Sequence, residues 1–291
     1  MKKVIVLAGP TASGKTSLSI KLAQALNLEI INGDSVAIYK RLDVGSAKIT
    51  FEEMQGVKHH LLSQVEPMVP YSVYDYQKDV RSLISELDIP FIVGGSGFYI
   101  KSSLYDYEFH NEIEPSEETN DVSHFEKVKK IREVDPNFEF DENNPRRVDR
   151  AYQMILSGMK PSSKRRKNSP LYDILLLYLD MPRERQEELM YKRVDKQIED
   201  GFIEEVKSLC NDGYIIRDII GYRELNEYLD GDITLEEAKE KIVRTSFKFS
   251  KRQRTWFLNQ MNPVLIDPLS NTVVEDTINI VKRFLKKWEF I

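Results

Sequence analysis

Gly9-Pro10-Thr11-Ala12-Ser13-Gly14-Lys15-Thr16 is the stretch on which the reading of this chain turns. An apolar segment, Val4-Ile5-Val6-Leu7-Ala8, runs into it, and Leu18, Leu22 and Leu26 recur after it at helical spacing. Strand, glycine-rich loop and helix, in that order, are what a phosphate-binding P-loop requires. The glycines let backbone N–H groups turn toward phosphate oxygens, and the helix N-terminus adds a favourable partial charge. Lys15 is placed to reach the phosphates and the Thr16 hydroxyl to coordinate Mg²⁺. An ordinary glycine-containing strand-to-helix turn is the bland alternative; position and context favour the P-loop. The loop implies a diphosphate or polyphosphate ligand and does not by itself name its carrier.

The rest of the composition sets outer bounds. A chain of 291 residues accommodates one large α/β domain plus a smaller unit. No apolar run is long enough to span a bilayer, and Met1-Lys2-Lys3 leads straight into the first strand, so neither a membrane helix nor a signal peptide is expected. A single cysteine, Cys210, excludes an intramolecular disulfide and a cysteine-based zinc cluster. A cytoplasmic protein is the simple expectation. The net charge of −5 argues against a uniformly basic nucleic-acid binder, but the charge is unevenly placed. Lys160–Lys167 holds five basic residues in eight, and Lys239–Arg254 holds seven basic residues and one acidic, so local patches and not the total decide backbone binding. Glu112–Glu126 holds six acidic residues and no Lys or Arg. Each basic run also reads as a solvated helix face or loop.

Glu29-Ile30-Ile31-Asn32-Gly33 reads as a second strand ending at Asp34-Ser35. Functional groups of open α/β sheets gather at the carboxyl ends of strands, which sets Asp34 beside the P-loop. Asp34 reads as a general base, as an outer partner of a Mg²⁺-bound water, or as a helix N-cap. His59-His60 point to opposite faces of a strand and read as structural. Ser72 and Asp75 open a helix whose apolar face runs from Val73 to Leu87. Pro90–Val93 reads as a buried strand followed by Gly94-Gly95-Ser96-Gly97, a tight turn that carries a hydroxyl. Tyr105–Phe140 is polar, with one helix near His124–Glu133, and reads as an insertion. Asn144-Pro145-Arg146-Arg147-Val148-Asp149-Arg150 enters a helix on which Arg146 and Arg150 share a face, a candidate clamp for a phosphate backbone. The core resumes with the strand Ile174–Leu179. Arg193 follows on a helix, read either as a surface arginine or as a fork closing over a diphosphate. Lys251-Arg252-Gln253-Arg254-Thr255-Trp256-Phe257 interleaves basic and aromatic residues as an RNA-facing helix does. A strand at Val264–Asp267 and a helix at Val273–Trp288 end the chain.

Taken together, Gly9–Thr16, Asp34-Ser35 with Tyr39, Asp43-Val44-Gly45-Ser46-Ala47-Lys48, His59-His60-Leu61-Leu62, Gly94-Gly95-Ser96-Gly97-Phe98-Tyr99, Asn144-Pro145-Arg146-Arg147, Gly221-Tyr222 and Lys251-Arg252-Gln253 resemble, in order, the motifs of bacterial tRNA dimethylallyltransferases, also called tRNA isopentenyltransferases. The resemblance covers nearly the whole chain, and other P-loop proteins share only its first motif. It implies an α/β fold: a P-loop, nucleotide-kinase-like parallel-sheet core in two parts, 1–104 and 144–291, around a mainly helical insertion, 105–143, whose bounds are open to extension into the flanking residues. It implies transfer of the dimethylallyl group of dimethylallyl diphosphate to the exocyclic amine of the adenosine immediately 3′ of the anticodon, with Mg²⁺ as cofactor. Implied partners are the tRNA anticodon stem-loop and dimethylallyl diphosphate, with no membrane, for a monomer.

The resemblance assigns Asp34, Ser96, Lys15 and Arg193 to catalysis. It assigns Gly9, Pro10, Thr11, Ala12, Ser13, Gly14, Lys15 and Thr16 to the diphosphate, with Thr16 also on the metal. Asp34, Ser35, Val36, Ala37, Ser96, Arg146, Arg147, Val148, Asp149, Arg150, Gly221, Tyr222, Arg223, Lys251, Arg252 and Gln253 match positions near tRNA. The chain departs from the pattern at Ser96, usually Thr, at Ala37, often Gln or Leu, and at Phe247, often Arg. The competing classes are a small-molecule kinase, a prenyltransferase acting on free adenine nucleotides, and a non-catalytic RNA-binding P-loop protein.

Overall fold

Residues Val4 to Ala8 are fully buried, which leaves no face of the first strand, β1 (Lys3–Ala8), for solvent and sets it in the middle of a sheet. The computed structural model describes residues 1–107, 109, 122–163 and 168–286, and of residues 146 and 163 the backbone alone. The basic run Lys164–Lys167, most of the acidic run from Glu112 and the final turn expected at Trp288 lie outside the described residues.

β2 (Ile30–Asn32), β3 (His59–His60), β4 (Phe91–Gly94), β5 (Asp173–Leu179) and β6 (Val264–Ile266) join β1 in one sheet of order β3-β2-β4-β1-β5-β6. All its pairings are parallel. Parallel neighbours need crossovers, which helices supply except between β2 and β3, where the chain runs through turns. The helices of this unit are α1 (Lys15–Leu26), α2 (Val73–Glu86), α3 (Gly97–Leu104), α6 (Arg183–Glu199), α7 (Phe202–Asn211), α8 (Tyr222–Leu229), α9 (Leu235–Met261) and α10 (Val273–Lys286), the last of them after the final strand. The register aligns Ala8 with Gly94 of β4 and Tyr178 of β5, and Asn32 with Val93, so β1, β2, β4 and β5 end together.

Two apolar clusters build this unit. One is the sheet with α1 and α10, through Ile5, Leu7, Leu22, Phe91, Leu177 and Val281. The other joins α6, α7, α8 and α9 to the turn after β2, through Leu42, Met190, Phe202, Tyr222 and Ile242. His59 and His60 are structural, as expected. Nδ1 of His59 lies 2.9 Å from the Val57 carbonyl, and Nε2 of His60 lies 2.6 Å from Glu29, whose carboxyl this contact holds below its usual range. The capping box at Ser72 and Asp75 forms.

The chain divides into two compact units, Met1–Leu104 with Pro170–Ile291, and Tyr105–Ser169. The second unit runs past residue 143 into the flanking residues, the extension that the expected bounds left open. Its α4 (His124–Val134) and α5 (Pro145–Leu156) share one apolar core of Ile131, Val148 and Ala151, so α5 belongs to the insertion and not to the returning core. Asn144 caps α5, accepting from the Arg147 amide, and Pro145 occupies the first helical position, where a missing N–H costs nothing.

Candidate active site

The N-terminus of α1 is left open. α2, α4 and α9 each begin with a capping box and an acidic residue in the first turn. α1 begins at Gly14 with neither a side-chain cap nor an acidic residue. Its first N–H groups therefore have no protein acceptor among the described side chains and suit an anion. Gly14 (φ 84°) and Ala12 (φ 62°) take left-handed backbone that turns the loop's amides inward. Ser13 is buried and its hydroxyl has no hydrogen-bond partner, an orphan of the kind a ligand oxygen resolves. Lys15 folds back on the loop and donates to the carbonyls of Gly9 (2.9 Å) and Pro10 (2.6 Å). Burial, and then the charge of Arg193, bring the Lys15 ammonium down to about 8, with Asp34 opposing. Burial also lowers the Arg193 guanidinium from its usual range, again with Asp34 opposing. Lys15, Arg193 and Asp34 thus share one electrostatic neighbourhood, although the sequence separates the first and last of them widely.

Asp34 does not cap a helix, because a turn follows it. Its Oδ1 accepts from the Val36 amide two residues on (2.8 Å), and Oδ2 has no hydrogen-bond partner among the described residues. Asn32, buried at the end of β2, holds Asp34 in place. Its Oδ1 accepts from the Asp34 amide (2.9 Å), and its Nδ2 donates to the Asp34 and Leu61 carbonyls (2.9 and 3.0 Å). The Ser96 hydroxyl accepts from the Ser35 amide (2.9 Å) and donates to the Ser35 hydroxyl (3.1 Å). The glycine turn after β4 is thereby tied to the loop after β2. Gln253 of α9 donates to the Gly95 carbonyl (2.8 Å), and Gly97 lies against the Trp256 ring, so α9 fixes this turn from the other side.

Sequence reasoning missed the part that Asn32 and Tyr76 play beside Asp34. Tyr76 is buried and donates to the Asn32 carbonyl (2.9 Å), and its ring lies 5.3 Å from that of Tyr99. Burial and the Asp34 charge raise the Tyr76 hydroxyl, while burial and Tyr39 raise that of Tyr99. The signal was the density of tyrosine in Tyr71-Ser72-Val73-Tyr74-Asp75-Tyr76, which reads equally as a helix face. A cavity of about 1070 Å³ adjoins Pro10, between α6 and α9. Arg183, Lys248, Lys251 and Arg254 line it together with Asp180 and Glu187.

A profile of the family described as IPP transferase matches residues 37–260, which leaves the P-loop itself to the geometry. A protein of Acholeplasma laidlawii named tRNA dimethylallyltransferase is 53% identical, over 98% of this chain and 99% of its own length. The chain belongs to the IPP transferase family.

A crystal structure of tRNA isopentenylpyrophosphate transferase from Bacillus halodurans superposes with a TM-score of 0.77 at 34% identity, covering 99% of this chain and 98% of that one. A eukaryotic dimethylallyltransferase captured acting on tRNA gives 0.88 at 25% identity, over 99% of this chain and 80% of that one. As an enzyme of this family, the chain transfers a dimethylallyl group to a tRNA adenosine near the anticodon.

The positions that the IPP transferase resemblance set near tRNA separate into two kinds. Arg147 and Arg150 of α5 are exposed, as are Lys251 and Arg252 of α9, the last stacked over Phe249. The Arg146 side chain lies outside the described residues. Val148 and Tyr222 are fully buried, so their side chains pack the interior and offer no surface. Asp149 pairs with Lys127 (2.7 Å), Arg223 with the buried Glu224, and Gly221 begins α8 with φ 92° against the Phe202 ring. Gln253 holds the Gly95 turn, as above. Ser35 and Val36 are half-buried and Ala37 is buried. At the Phe247 departure the ring carries the Arg183 guanidinium 5.1 Å above it, so a cation remains at that wall of the cavity.

A magnesium ion fits what these residues offer. Among the described residues no cluster of three or more His, Cys, Asp or Glu could cage a metal. The exposed Thr16 at the first turn of α1 supplies a hydroxyl, and a diphosphate on the open amides would supply hard oxygens, the mixed donor set that Mg²⁺ prefers.

Proposed function

We propose that the donor is dimethylallyl diphosphate, that its diphosphate sits on Gly9–Thr16, and that the acceptor is the exocyclic amine of the adenosine immediately 3′ of the anticodon. One observation carries this reading: the open, orphan-lined N-terminus of α1 shares its electrostatic neighbourhood with Arg193 and with a carboxylate, Asp34, that has a free oxygen. The loop amides, Lys15 and Arg193 hold the diphosphate and take up the charge that builds as its oxygen leaves the allylic carbon. Thr16, together with the diphosphate oxygens, would hold a Mg²⁺ ion, which would supply Lewis-acid stabilisation of that same charge. The bond from the allylic carbon to oxygen breaks as the bond to the amine nitrogen forms. The departing diphosphate keeps the bonding pair, and Asp34 accepts the proton that the nitrogen loses. Ser96 keeps the Asp34 loop in register through Ser35 and stands by the reacting groups.

The target base has to leave its stack to reach Asp34; Tyr76, whose hydroxyl feels the Asp34 charge, packs against the half-buried ring of Tyr99, an aromatic surface on which a flipped base could stack. Arg147 and Arg150 of the second unit, and Lys251 and Arg252 of the first, supply exposed cations for the backbone of the anticodon stem-loop. The cavity beside Pro10 offers the diphosphate a partly basic route. No helix among the described residues is long and apolar enough to cross a membrane, and we place the enzyme in the cytoplasm as a monomer.

Incubation with Mg²⁺, dimethylallyl diphosphate and either unmodified tRNA or AMP, read by mass spectrometry, tests the assignment. Prenylated adenosine at the position 3′ of the anticodon, and none on AMP, is expected. Product on AMP would replace the tRNA acceptor with a free nucleotide.

A further inference from the structure

Two of the motifs noted in the sequence, Asp43–Lys48 and Gly221-Tyr222, have no part in the chemistry above, and the structure brings them together around one carboxylate. Glu205, half-buried on α7, accepts from three successive backbone amides: Asp43 (2.9 Å) and Val44 (2.7 Å) at Oε2, and Gly45 (3.0 Å) at Oε1. The Tyr222 hydroxyl donates to Oε1 at 2.6 Å. Successive amides curled round an anion form a nest, and here the anion belongs to the chain itself. Charge-assisted bonds of this kind are about twice as strong as neutral ones. Gly45 is required for the fit, because a Cβ there would overlap the Phe202 ring and stand 2.6 Å from the Tyr222 ring.

The far side of the same turn is held by α6. Gln197 donates to the carbonyls of Val44 (2.8 Å) and Gly45 (2.9 Å). Arg193, one helical turn before it on the same face, donates to the Ser46 carbonyl at 3.2 Å. Among the described residues this carbonyl is the one hydrogen-bond partner of Arg193. The turn is therefore the fixed point from which the guanidinium reaches toward Lys15 and Asp34.

We propose that Glu205 is a positioning residue for Arg193: by closing the 43–46 amide nest, with Tyr222 as its second support, it sets the Ser46 carbonyl that aims the guanidinium at the diphosphate. The proposal rests on the assignment of Arg193 to the diphosphate. Glutamine at 205 keeps the shape but replaces the ionic acceptor with a neutral amide, one of whose ends donates and faces amide N–H groups.

The test is a double-mutant cycle read by calorimetry of inorganic diphosphate binding, with Mg²⁺ present, to the full chain. This readout needs neither tRNA nor prenyl transfer. Glu205→Gln in the parent chain is expected to weaken diphosphate by about tenfold, and in an Arg193→Ala background by less than about twofold, because coupled residues are non-additive. Tyr222→Phe removes one supporting bond, leaves the ring packing intact, and is expected to act in the same direction by about threefold. Equal losses in both backgrounds, or no loss in the parent, would overturn the role of Glu205 while leaving Arg193 in place. An Arg193→Ala chain that binds diphosphate as tightly as the parent would overturn the Arg193 assignment, and this proposal with it.

Discussion

Replacing Gly94 by alanine tests the geometry of the site at its tightest point. A Cβ at position 94 would lie 2.5 Å from the Gly33 Cα and closer still to the Gly33 carbonyl carbon and oxygen. Carbon atoms pack no nearer than about 3.5 Å, so one backbone has to retreat by about 1 Å. Neither can do so freely. The Gly33 amide donates to the Val93 carbonyl (2.8 Å), and the Gly33 carbonyl accepts from the Ser96 amide (3.0 Å). Overpacking costs about 1 to 3 kcal/mol, and each lost hydrogen bond about 1 more. The total, about 3 to 5 kcal/mol, lies below or near the lower end of the usual stability range, so much of the chain stays folded at low temperature. Its folded fraction carries Asp34 and Ser96 on displaced strand ends, and a 1 Å misplacement costs about a hundredfold in rate. Thermal unfolding and prenyl transfer per folded molecule measure the two effects separately. Gly213→Ala is the control: that glycine has φ 83° and open space around it, so the change costs about 1 to 2 kcal/mol of backbone strain and leaves the rate alone. A Gly94→Ala chain with parental melting temperature and parental rate would refute the argument that the close approach of β2 and β4 sets the distance between Asp34 and Ser96.

Four further outcomes follow, three from the site and one from the second unit. Asp34→Asn keeps an oxygen for the Val36 amide but loses the base, so transfer falls by about 10² to 10⁴ while tRNA affinity, measured by filter binding, holds; an unchanged rate would remove Asp34 from the chemistry. With a free-protein value of about 8, Lys15 is an ammonium below that pH, and affinity for a thio-linked, unreactive diphosphate analogue falls by up to about tenfold per pH unit as pH rises through 8; Lys15→Met should abolish this slope, and a flat titration of the parent chain would refute it. Because the unfolded chain keeps Lys15 protonated up to 10.5, this group's contribution to stability is least favourable below pH 8 and improves between 8 and 10.5. Arg150→Ala should weaken tRNA binding and reduce the salt slope by about 0.7 to 0.9, whereas a salt-independent loss would indicate a folding defect.

The sequence alone determined the elements whose signals are local. The P-loop is legible because its chemistry needs glycine, lysine and a hydroxyl at fixed spacing between a strand and a helix. The cap at Ser72 and the buried strands at β1, β4 and β5 are legible because short-range hydrogen bonds and unbroken apolar runs encode them. Asp34 and Ser96 were reachable because strand ends gather functional groups, and the order of the motifs carried the family.

What the sequence left open depends on residues far apart along the chain. Spacing left Asp34 open as a general base, an outer partner of a Mg²⁺-bound water or a helix N-cap, and only the turn at Val36, with the loop held by Asn32 and Ser96, removes the cap. Val148 and Tyr222 sit within motif stretches and look like surface contacts until packing buries them. The end of the insertion at 169 follows from the shared core of α4 and α5, which no single helix pattern contains. Glu205 is one acidic residue among many until four donors converge on it. In each case the deciding interaction is a contact between distant segments, and contacts of that kind exist only once the chain has folded.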